Sequence, residues 1–279
     1  MTNPIADPLV ENVIVDDVAS VVKLESTPEG VATVTINRPA KRNALDMLAI
    51  EGLTEAFETL QGADHVRVVF LKGAGGNFCA GGDVLWTAAS TELSESENRE
   101  DAMTLAKMFK ALADIPAVTV ALVEGAAMGA GGGLIAACDL AVAVQGARIA
   151  FPEARLGITA SVIAPYVVGA IGPRAAKALF VTAREIDADR ALALGLVQEV
   201  AADVAALVAA EARIVSEVMA CAPGAIADVK RLVWDVWARP LDHGLMEETA
   251  RHLAHRRVSE EGREGVDAFI HRRKPDWAS

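Results

Sequence analysis

The chain has few cysteines, few aromatic residues and no excess of positive charge. Its three cysteines, Cys79, Cys138 and Cys221, are far apart and odd in number, so neither a disulfide framework nor a zinc knuckle is indicated. This cysteine usage fits a reducing, cytoplasmic location. The formal net charge of −12 argues against a nucleic-acid partner, because such a partner would normally need a basic face.

Long apolar runs and a secretion signal are also missing. No stretch approaches the ~20 apolar residues that a membrane-spanning helix needs, so we expect no membrane partner. The first residues lack a basic region followed by an apolar run, so we expect no signal peptide. With 52% hydrophobic and 23% charged residues, the composition is typical of a globular protein with a sizeable core. Aromatics make up only 4%, so that core must consist mainly of aliphatic side chains.

Several common catalytic and cofactor motifs do not occur. A Gly-x-Ser-x-Gly motif is missing, which disfavours a nucleophile elbow. Two glycine-rich segments, Gly73–Phe78 and Gly129–Leu134, lack the last glycine of a dinucleotide fingerprint and the Lys-Ser/Thr pair of a phosphate loop. His252 and His255 stand three residues apart without a matching set of acidic or cysteine ligands, so we predict no metal site.

What the sequence does contain is an alternation of strands and helices. The strongly alternating run Val31–Ile36 and the apolar run Val118–Val123 predict strands, the second covered on both faces. Helical patterns between strands favour right-handed βαβ crossovers and therefore an α/β fold. Further expected features are a hairpin turn at Thr27–Gly30, a helix capped by Asp46, strands at Val66–Leu71, Leu140–Val144 and Arg148–Phe151, and almost continuous helix from about Pro173. The predicted units are a loose arm over 1–19, an α/β core with the active site over 20–200, and a helical region over 201–279.

Two glycine-rich junctions directly follow apolar strands. They are Phe78–Asp83 and Gly125–Gly133. Small residues let the backbone turn sharply there and let a ligand approach the backbone N–H groups. Two N–H groups converging from the two loops would make a hole for a thioester oxygen that gains negative charge. For either loop alone, the alternative is a tight packing contact between a strand and a helix.

A carboxyl group with apolar neighbours follows the second junction. Glu153 lies within the segment Phe151–Gly157. Desolvation would raise the pKa of this carboxyl toward that of a usable acid or base. The alternatives are an ion pair with Arg155 or a helix N-terminal acid. The apolar residues beside it are Phe151, Pro152, Leu156 and Ile158.

In this order, these motifs resemble the crotonase (enoyl-CoA hydratase/isomerase) superfamily over roughly residues 20 to 275. The segments that carry the resemblance are Asn37–Pro39 with Asn43–Leu45, Phe78–Asp83, Gly125–Gly133 with Cys138 and Asp139, Pro152 and Glu153, Gly172, and Ala191–Val197. The resemblance implies a spiral of ββα units with a helical C-terminal trimerisation region, and a homotrimer or a homohexamer built as a dimer of trimers. It also implies an acyl-CoA substrate and no metal or redox cofactor, since coenzyme A is part of the substrate.

The resemblance also assigns roles to individual residues by position. Gly82 and Ala130 match the two N–H donors of the family's oxyanion hole, and Glu153 matches a catalytic glutamate. The segments Lys41–Ala44 and Ala80–Asp83 match the part that holds coenzyme A. The corresponding binding residues are Lys41, Arg42, Ala44, Ala80, Gly81 and Asp83.

One departure from the family pattern affects the chemistry. The best-known hydratases use two glutamates, and the earlier one falls at Gly133 in this chain. The segment Gly157–Val168 resembles instead the branch that hydrates 3-methylglutaconyl-CoA and related glutaconyl thioesters, which can carry glycine at this position. Tyr166, the single tyrosine, is either a packing residue or a polar contact in the acyl pocket.

The sequence therefore predicts an enzyme that acts on acyl-CoA thioesters. We expect a hydratase that adds water to a 2-enoyl-CoA, with Glu153 as the acid/base and a glutaconyl-type substrate favoured. The alternative is a Δ3-Δ2 enoyl-CoA isomerase, which needs only one carboxyl group. A non-catalytic role in binding acyl-CoA or RNA is disfavoured by the intact glutamate and by the acidic charge.

Overall fold

A computed structural model describes residues 21–278, so the arm predicted over 1–19 lies outside the described residues. The described chain contains nine strands and ten α-helices. The strands are β1 Val22–Ser26, β2 Val31–Ile36, β3 Val68–Gly73, β4 Val118–Val123, β5 Ala126–Met128, β6 Leu140–Val144, β7 Arg148–Ala150, β8 Ile186–Asp187 and β9 Glu199–Ala201. The helices are α1 Met47–Gln61, α2 Val84–Ser90, α3 Glu95–Ala113, α4 Ala130–Ala137, α5 Ala164–Thr182, α6 Ala188–Leu194, α7 Val204–Met219, α8 Pro223–Val236, α9 His243–Val258 and α10 Glu260–Ile270.

Six strands form the main sheet, in the order β1-β2-β3-β4-β6-β9. β1 and β2 are an antiparallel hairpin whose turn brings the Thr27 N–H to the Val31 oxygen at 2.9 Å, as the turn residues predict. Every other neighbouring pair in this sheet is parallel. The apolar run of β4 is confirmed as a strand covered on both faces, since its residues from Thr119 to Val123 are all buried.

A second, three-stranded sheet positions the loops of the candidate site. Its order is β5-β7-β8, and β5 pairs in parallel with β7. Cys79, after β3, forms an isolated parallel bridge with Ala127 of β5. The loop that follows β3 in the main sheet is therefore attached to the loop that follows β4.

Helices cover both faces of the main sheet. α1 begins at Asp46, whose carboxylate accepts the Ala49 N–H at 3.0 Å as predicted for an N-cap. It packs against α3 and buries Phe57 in the larger of two apolar clusters. α7 covers the opposite face, where its buried side chains pack with Val68 and Phe70. From residue 204 to residue 278 the chain contains helices and no strand, as expected for the C-terminal part.

Lys230 fixes α8 to the sheet. Its Nζ donates to the Ile115 and Ala117 oxygens at 2.6 and 2.7 Å and forms an ion pair with Asp139 at 2.7 Å. Across residues 21–278, no helix is both long enough and apolar enough to span a bilayer. The same residues hold no cluster of three potential metal ligands, so the structure offers no candidate metal centre there.

Three differences from the sequence-based expectations have local causes. α5 starts at Ala164, before the expected Pro173, because Pro165 is compatible with a first helical turn. Gly172, at φ +74°, interrupts the helix directly before Pro173. The short strand β5 and the short helix α2 were not predicted. β5 lies within the glycine-rich segment Gly125–Gly133, and α2 directly follows Phe78–Asp83. Both are too short to show a periodic pattern of apolar residues.

Candidate active site

The loop Phe78–Asp83 is held between two extended segments. The Leu45 N–H donates to the Gly81 oxygen at 2.7 Å, and the Asp83 N–H donates to the Leu45 oxygen at 2.7 Å. In this parallel bridge the Gly82 N–H is directed away from Leu45. No hydrogen-bond acceptor for it occurs within residues 21–278, so this donor is available to a ligand.

The second loop places another free donor beside the first. β5 ends at Met128, Gly129 turns the chain with φ +49° and ψ −111°, and α4 begins at Ala130. A helix start leaves its first N–H groups without intrahelical partners, and the described residues provide no acceptor for the Ala130 N–H. A Cβ at Gly131 would lie 2.2 Å from the Cys79 oxygen, so the two loops are in direct backbone contact.

The close packing of the two loops also explains why position 81 requires glycine. Gly81 has φ +92°, and a Cβ there would approach the Met128 oxygen to 2.9 Å. Both the backbone angle and the available space therefore exclude a side chain. The two glycine-rich junctions are thus in direct backbone contact, and their joint role as one site stays a prediction.

Glu153 lies over the second loop. It belongs to a 3-10 turn, Pro152–Leu156, that follows β7, and β7 is fixed here by the Gly129 N–H bonding to the Ala150 oxygen at 2.8 Å. A Cβ at Gly129 would be 2.8 Å from Glu153 Oε1. The carboxyl group therefore adjoins the turn that presents the Ala130 N–H.

The environment of this carboxyl group favours its protonated form. Oε2 of Glu153 is buried and has no hydrogen-bond partner among the described residues. Burial raises the pKa of Glu153, and its own backbone N–H opposes that rise only in part. The described residues contain no ion pair between Glu153 and Arg155. Leu156 and Ile158 are 65% and 49% exposed, so the desolvation comes from the surrounding loops more than from these two side chains.

Hydrocarbon fills the space beside Gly133. A Cβ there would lie 2.4 Å from Ile163 Cγ2 and 3.1 Å from Phe109 Cε1. Ile163 and Phe109 are both buried. A second carboxyl group at this position would therefore displace apolar side chains, and the site keeps Glu153 without a partner acid from position 133.

The two segments predicted to bind coenzyme A are adjacent. The Ala80 N–H donates to the Arg42 oxygen at 3.0 Å. Asn43 is fully buried and donates to the Ala74 and Asn77 oxygens at 2.8 and 2.6 Å. Lys41 and Arg42 have exposed side chains beside this fixed backbone, where they are accessible to an anionic ligand.

The remaining residues of that set contribute mainly to the shape of the loop. Asp83 is 6% exposed, accepts the Leu85 N–H at 2.9 Å and pairs with Arg38 at 3.4 Å. The Leu85 N–H, together with Lys41 and Arg38, holds the pKa of Asp83 below its ordinary value. This carboxylate thus caps α2, while Ala44 and Gly81 are buried. The role in coenzyme A binding stays a prediction for all of them.

Tyr166 faces a different cavity. Its ring centroid lies 5.6 Å from that of Phe109, and burial raises the pKa of its hydroxyl. The cavity, of about 1260 Å³, separates the core from α8 and is also lined by Asp114 and Trp234. Gly82, Ala130 and Glu153 do not line it. Tyr166 therefore supports the apolar wall through Phe109.

The sequence analysis did not identify three residues that form the walls of the candidate site. The Trp86 ring lies 3.5 Å from the position of a Cβ at Gly82, and Phe109 and Ile163 close the space beside Gly133. One of the three could have been found from the sequence. Trp86 follows the predicted N–H donor Gly82 by four residues, and it is a large side chain next to a loop of small residues. By contrast, Cys79 lies in the loop with a fully buried side chain, and burial raises its pKa to about 12, which disfavours the reactive thiolate form.

The sequence and fold were compared with known proteins. The family model for enoyl-CoA hydratase/isomerase matches residues 26–279. A short-chain-enoyl-CoA hydratase of Clostridium acetobutylicum is 30% identical over 246 residues, which are 88% of this chain and 92% of the relative. Crystallised relatives include an enoyl-CoA hydratase of Shewanella pealeana, with TM-score 0.89, 33% identity and coverage of 93% and 96% of the two chains.

Another solved structure, Pseudomonas aeruginosa AtuE, is 36% identical, with TM-score 0.88 and coverage of 93% of this chain and 100% of that one. These matches confirm the expected crotonase-type α/β fold with a helical C-terminal region. The structure brings the loops that contain Gly82 and Ala130 into backbone contact and places the Glu153 carboxyl group beside Gly129. The chain belongs to the enoyl-CoA hydratase/isomerase family of the crotonase superfamily.

Proposed function

We propose that this protein adds water across the 2,3 double bond of a 2-enoyl-CoA thioester, with Glu153 as the acid/base. One observation carries the proposal: Glu153 has a buried Oε2 without a hydrogen-bond partner among the described residues, and its Oε1 lies 2.8 Å from the position of a Cβ on Gly129, the residue before Ala130. Names of relatives support it, since the Clostridium and Shewanella proteins are described as enoyl-CoA hydratases.

The thioester carbonyl oxygen accepts hydrogen bonds from the Gly82 and Ala130 N–H groups. Attack of water at C3 moves electron density through C2 onto this oxygen, which gains negative charge. Fixed backbone donors stabilise that charge without reorganising during the reaction. Because neither donor has a competing acceptor in residues 21–278, both are available to the oxygen.

Glu153 supplies the proton for C2. Its raised pKa keeps more of the carboxyl group protonated near neutral pH than in an ordinary glutamate. As the water oxygen bonds to C3, one carboxyl oxygen gives its proton to C2, and the water proton returns to the carboxylate. Catalysis by such a group is worth about 10²–10⁴-fold in rate.

Position 133 supplies no carboxylate to hold the water, so another acceptor is required. The second oxygen of Glu153 can serve, and so can a carboxylate of the substrate itself. A glutaconyl-type thioester carries such a carboxylate. We therefore propose glutaconyl-type 2-enoyl-CoA thioesters as the preferred substrates, because their own carboxylate can hold the water in place of the acid that position 133 does not supply.

The apolar wall beside Gly133 favours a second candidate, a Δ3-Δ2 enoyl-CoA isomerase. Isomerisation needs one carboxyl group that removes a proton from C2 and returns it to C4, and it needs no ordered water. An apolar wall of Ile163 and Phe109 would suit that reaction because it excludes water from the intermediate.

A comparison of two glutamate variants tests the assignment. Glu153→Gln should lower turnover of crotonyl- and 3-methylglutaconyl-CoA by at least about 10²-fold. Glu58→Gln, on an exposed face of α1, serves as the matched control and should keep wild-type turnover. Calorimetry with a saturated acyl-CoA should show unchanged binding in both variants. Wild-type turnover by Glu153→Gln would contradict the proposal.

We also propose that the chain assembles as a homotrimer or a dimer of trimers. Large apolar side chains remain exposed on the C-terminal helices of the isolated chain, including Trp234 and Trp237 on and after α8 and Phe269 on α10. Burial of such surface between subunits would stabilise an assembly. Light scattering would measure its mass, and a monomer at micromolar concentration would contradict this part of the proposal.

A further inference from the structure

We propose that Asn43 and Asn77 are positioning residues for the two N–H donors of the proposed oxyanion hole. Their carboxamide groups connect the loops that carry Gly82 and Ala130, and they act through the backbone without touching the substrate. The inference rests on the proposed oxyanion hole, but it does not depend on the choice between hydration and isomerisation.

Asn43 fixes the start of the loop that leads to Gly82. Its side chain is fully buried, and its Nδ2 donates to the oxygens of Ala74 and Asn77 at 2.8 and 2.6 Å. Its Oδ1 accepts the Arg38 N–H at 2.9 Å. Both polar atoms of the carboxamide are therefore engaged, and only one orientation of the group satisfies all three bonds.

The backbone around Asn43 leaves little room for another arrangement. Asn43 has φ +58°, a left-handed conformation that asparagine tolerates better than most residues. A Cβ at Gly73 would lie 2.6 Å from Asn43 Nδ2 and 2.0 Å from the Asn77 oxygen. The carboxamide thus packs directly against the backbone, so the position of the Asn77 peptide depends on that of Asn43.

Asn77 extends this connection to the second loop. Its Oδ1 accepts the Ala126 N–H at 3.2 Å, at the first residue of β5. A Cβ at Gly125 would lie 2.8 Å from the same Oδ1, so the side chain is in close contact with the chain after β4. β5 ends at Met128, and the donor Ala130 begins the next helix. The Asn77 carboxamide therefore holds the strand that leads to the second donor.

Backbone hydrogen bonds join the two loops at the same place. The Cys79 N–H donates to the Ala126 oxygen at 3.0 Å, and the Met128 N–H donates to the Cys79 oxygen at 2.9 Å. Ala126 thus holds the first loop through its oxygen, while its N–H is held by Asn77. Because Ala126 is buried, loss of the Asn77 acceptor is unfavourable, and this peptide should shift to find another partner. Such a shift changes the spacing of the two donors, which lie a few residues further along each loop.

The alternative is that both asparagines only stabilise the fold, and Asn98 provides the matched control for it. Its Nδ2 donates to the oxygens of Ser90, Leu93 and Ser94 at 2.9, 3.1 and 3.2 Å. These bonds join the end of α2 to α3 and do not involve either donor loop. A variant at Asn98 therefore loses bonds of the same kind without altering the connection between the donors.

The test observes the carbonyl group of a bound thioester. Butyryl-CoA, which cannot be hydrated or isomerised, is bound with and without an isotope label at its carbonyl carbon, and the infrared difference spectrum isolates the thioester C=O stretch. Hydrogen bonds to the carbonyl oxygen lower this frequency, so the shift reports how well the two donors converge. The proteins are wild type, Asn43→Gly, Asn77→Leu, Asn77→Asp and Asn98→Leu. Calorimetry measures binding, and circular dichroism shows whether each variant is folded.

In wild type and in Asn98→Leu, the bound carbonyl should absorb at a lower frequency than the free thioester. Asn77→Leu should lose most of this shift, and so should Asn43→Gly, in which glycine accepts φ +58° without strain. Asn77→Asp keeps an oxygen that can accept the Ala126 N–H, so it should restore the shift.

Steady-state kinetics of the reaction that wild type catalyses give a second readout. Asn77→Leu should lower kcat by about 10²-fold with a much smaller change in KM, because a misplacement of about 1 Å can cost that much in rate. Asn77→Asp should recover kcat, and Asn98→Leu should keep it whatever its effect on Tm.

A wild-type carbonyl shift in both Asn43→Gly and Asn77→Leu, or an equal loss of the shift in Asn98→Leu, would overturn the inference. If Asn43→Gly does not fold, Asn77→Leu and Asn77→Asp decide, and equal shifts in these two would overturn it. Binding of butyryl-CoA to wild type without any shift would instead contradict the oxyanion hole, and with it both the proposed function and this inference. The expected pattern of shifts, without hydration of any 2-enoyl-CoA, would support the inference and refute the hydratase proposal alone.

Discussion

Introducing a second carboxyl group at Gly133 is the perturbation that most directly probes the apolar wall. A side chain there begins with a Cβ only 2.4 and 2.8 Å from two carbon atoms of Ile163, well inside the 3.5–4.0 Å of normal carbon contacts. Overpacking of this kind costs about 1–3 kcal/mol. Since 1 kcal/mol shifts Tm by about 2–4 °C in domains of 150–250 residues, Gly133→Glu should lower Tm by about 2–12 °C.

Removing the obstacle should make the new carboxyl group tolerable. In an Ile163→Gly background both offending carbons are absent, so Gly133→Glu should cost about 0.5–3 kcal/mol less there than in wild type. Thermal denaturation of the four proteins of this cycle measures the coupling. We also expect the double variant to hydrate crotonyl-CoA faster than Ile163→Gly alone, because a second carboxylate can hold the water.

A glycine with free space provides the control. A Cβ at Gly146 would meet nothing within 4 Å, so Gly146→Glu should leave Tm unchanged. If Gly133→Glu were as stable as Gly146→Glu, and if Ile163→Gly did not alter its effect, the wall beside Gly133 would not restrict a side chain. The explanation for the missing second acid would then be wrong.

Three further predictions follow from the same geometry. Gly82→Pro removes the N–H of a proposed oxyanion donor and should lower kcat by about 10²–10³-fold. Gly82→Ala keeps this N–H, and its Cβ would lie 3.2 Å from Thr87 Oγ1 and 3.5 Å from the Trp86 ring, so steady-state rates of the two variants should differ sharply. Burial raises the pKa of Glu153, so ionisation of this carboxyl destabilises the folded state at pH values above its unfolded-state pKa of about 4.3. Glu153→Gln should therefore have a higher Tm than wild type at pH 8 and lose that advantage by pH 4. Equal Tm values of the two proteins at both pH values would be inconsistent with a desolvated carboxyl. Acetoacetyl-CoA should raise Tm progressively with concentration, as a ligand of the folded state must, and no shift at millimolar ligand would exclude a coenzyme A site.

The sequence predicted the apolar strands of the main sheet because burial on both faces leaves a clear pattern. It missed β9, Glu199–Ala201, which lies in the segment expected to be almost continuous helix. The predicted Val118–Val123 and Leu140–Val144 agree with the structure residue for residue. The predicted strand Val66–Leu71 is displaced by two residues to Val68–Gly73, since its end is set by pairing with Val31–Ile36 and not by its own apolar residues.

The candidate site was predictable where backbone chemistry defines it. Glycine-rich junctions after two strands indicated the two loops, the family resemblance singled out Gly82 and Ala130 within them, and the structure brings those loops into contact. The surrounding walls were not predictable in this way. Trp86 and Ile163 reach the site from α2 and from the residue before α5, and their contacts with Gly82 and Gly133 depend on tertiary packing alone.

Reaction of the wild-type protein in deuterated water tests the central claim most directly. A glutaconyl-type 2-enoyl-CoA, with crotonyl-CoA in parallel, is incubated with enzyme, and the products are analysed by mass spectrometry and NMR. The account predicts a 3-hydroxyacyl-CoA with deuterium at C2, and no such product with Glu153→Gln. Conversion of 3-enoyl-CoA to 2-enoyl-CoA, with no hydroxylated product from any 2-enoyl thioester, would contradict hydration and establish the isomerase.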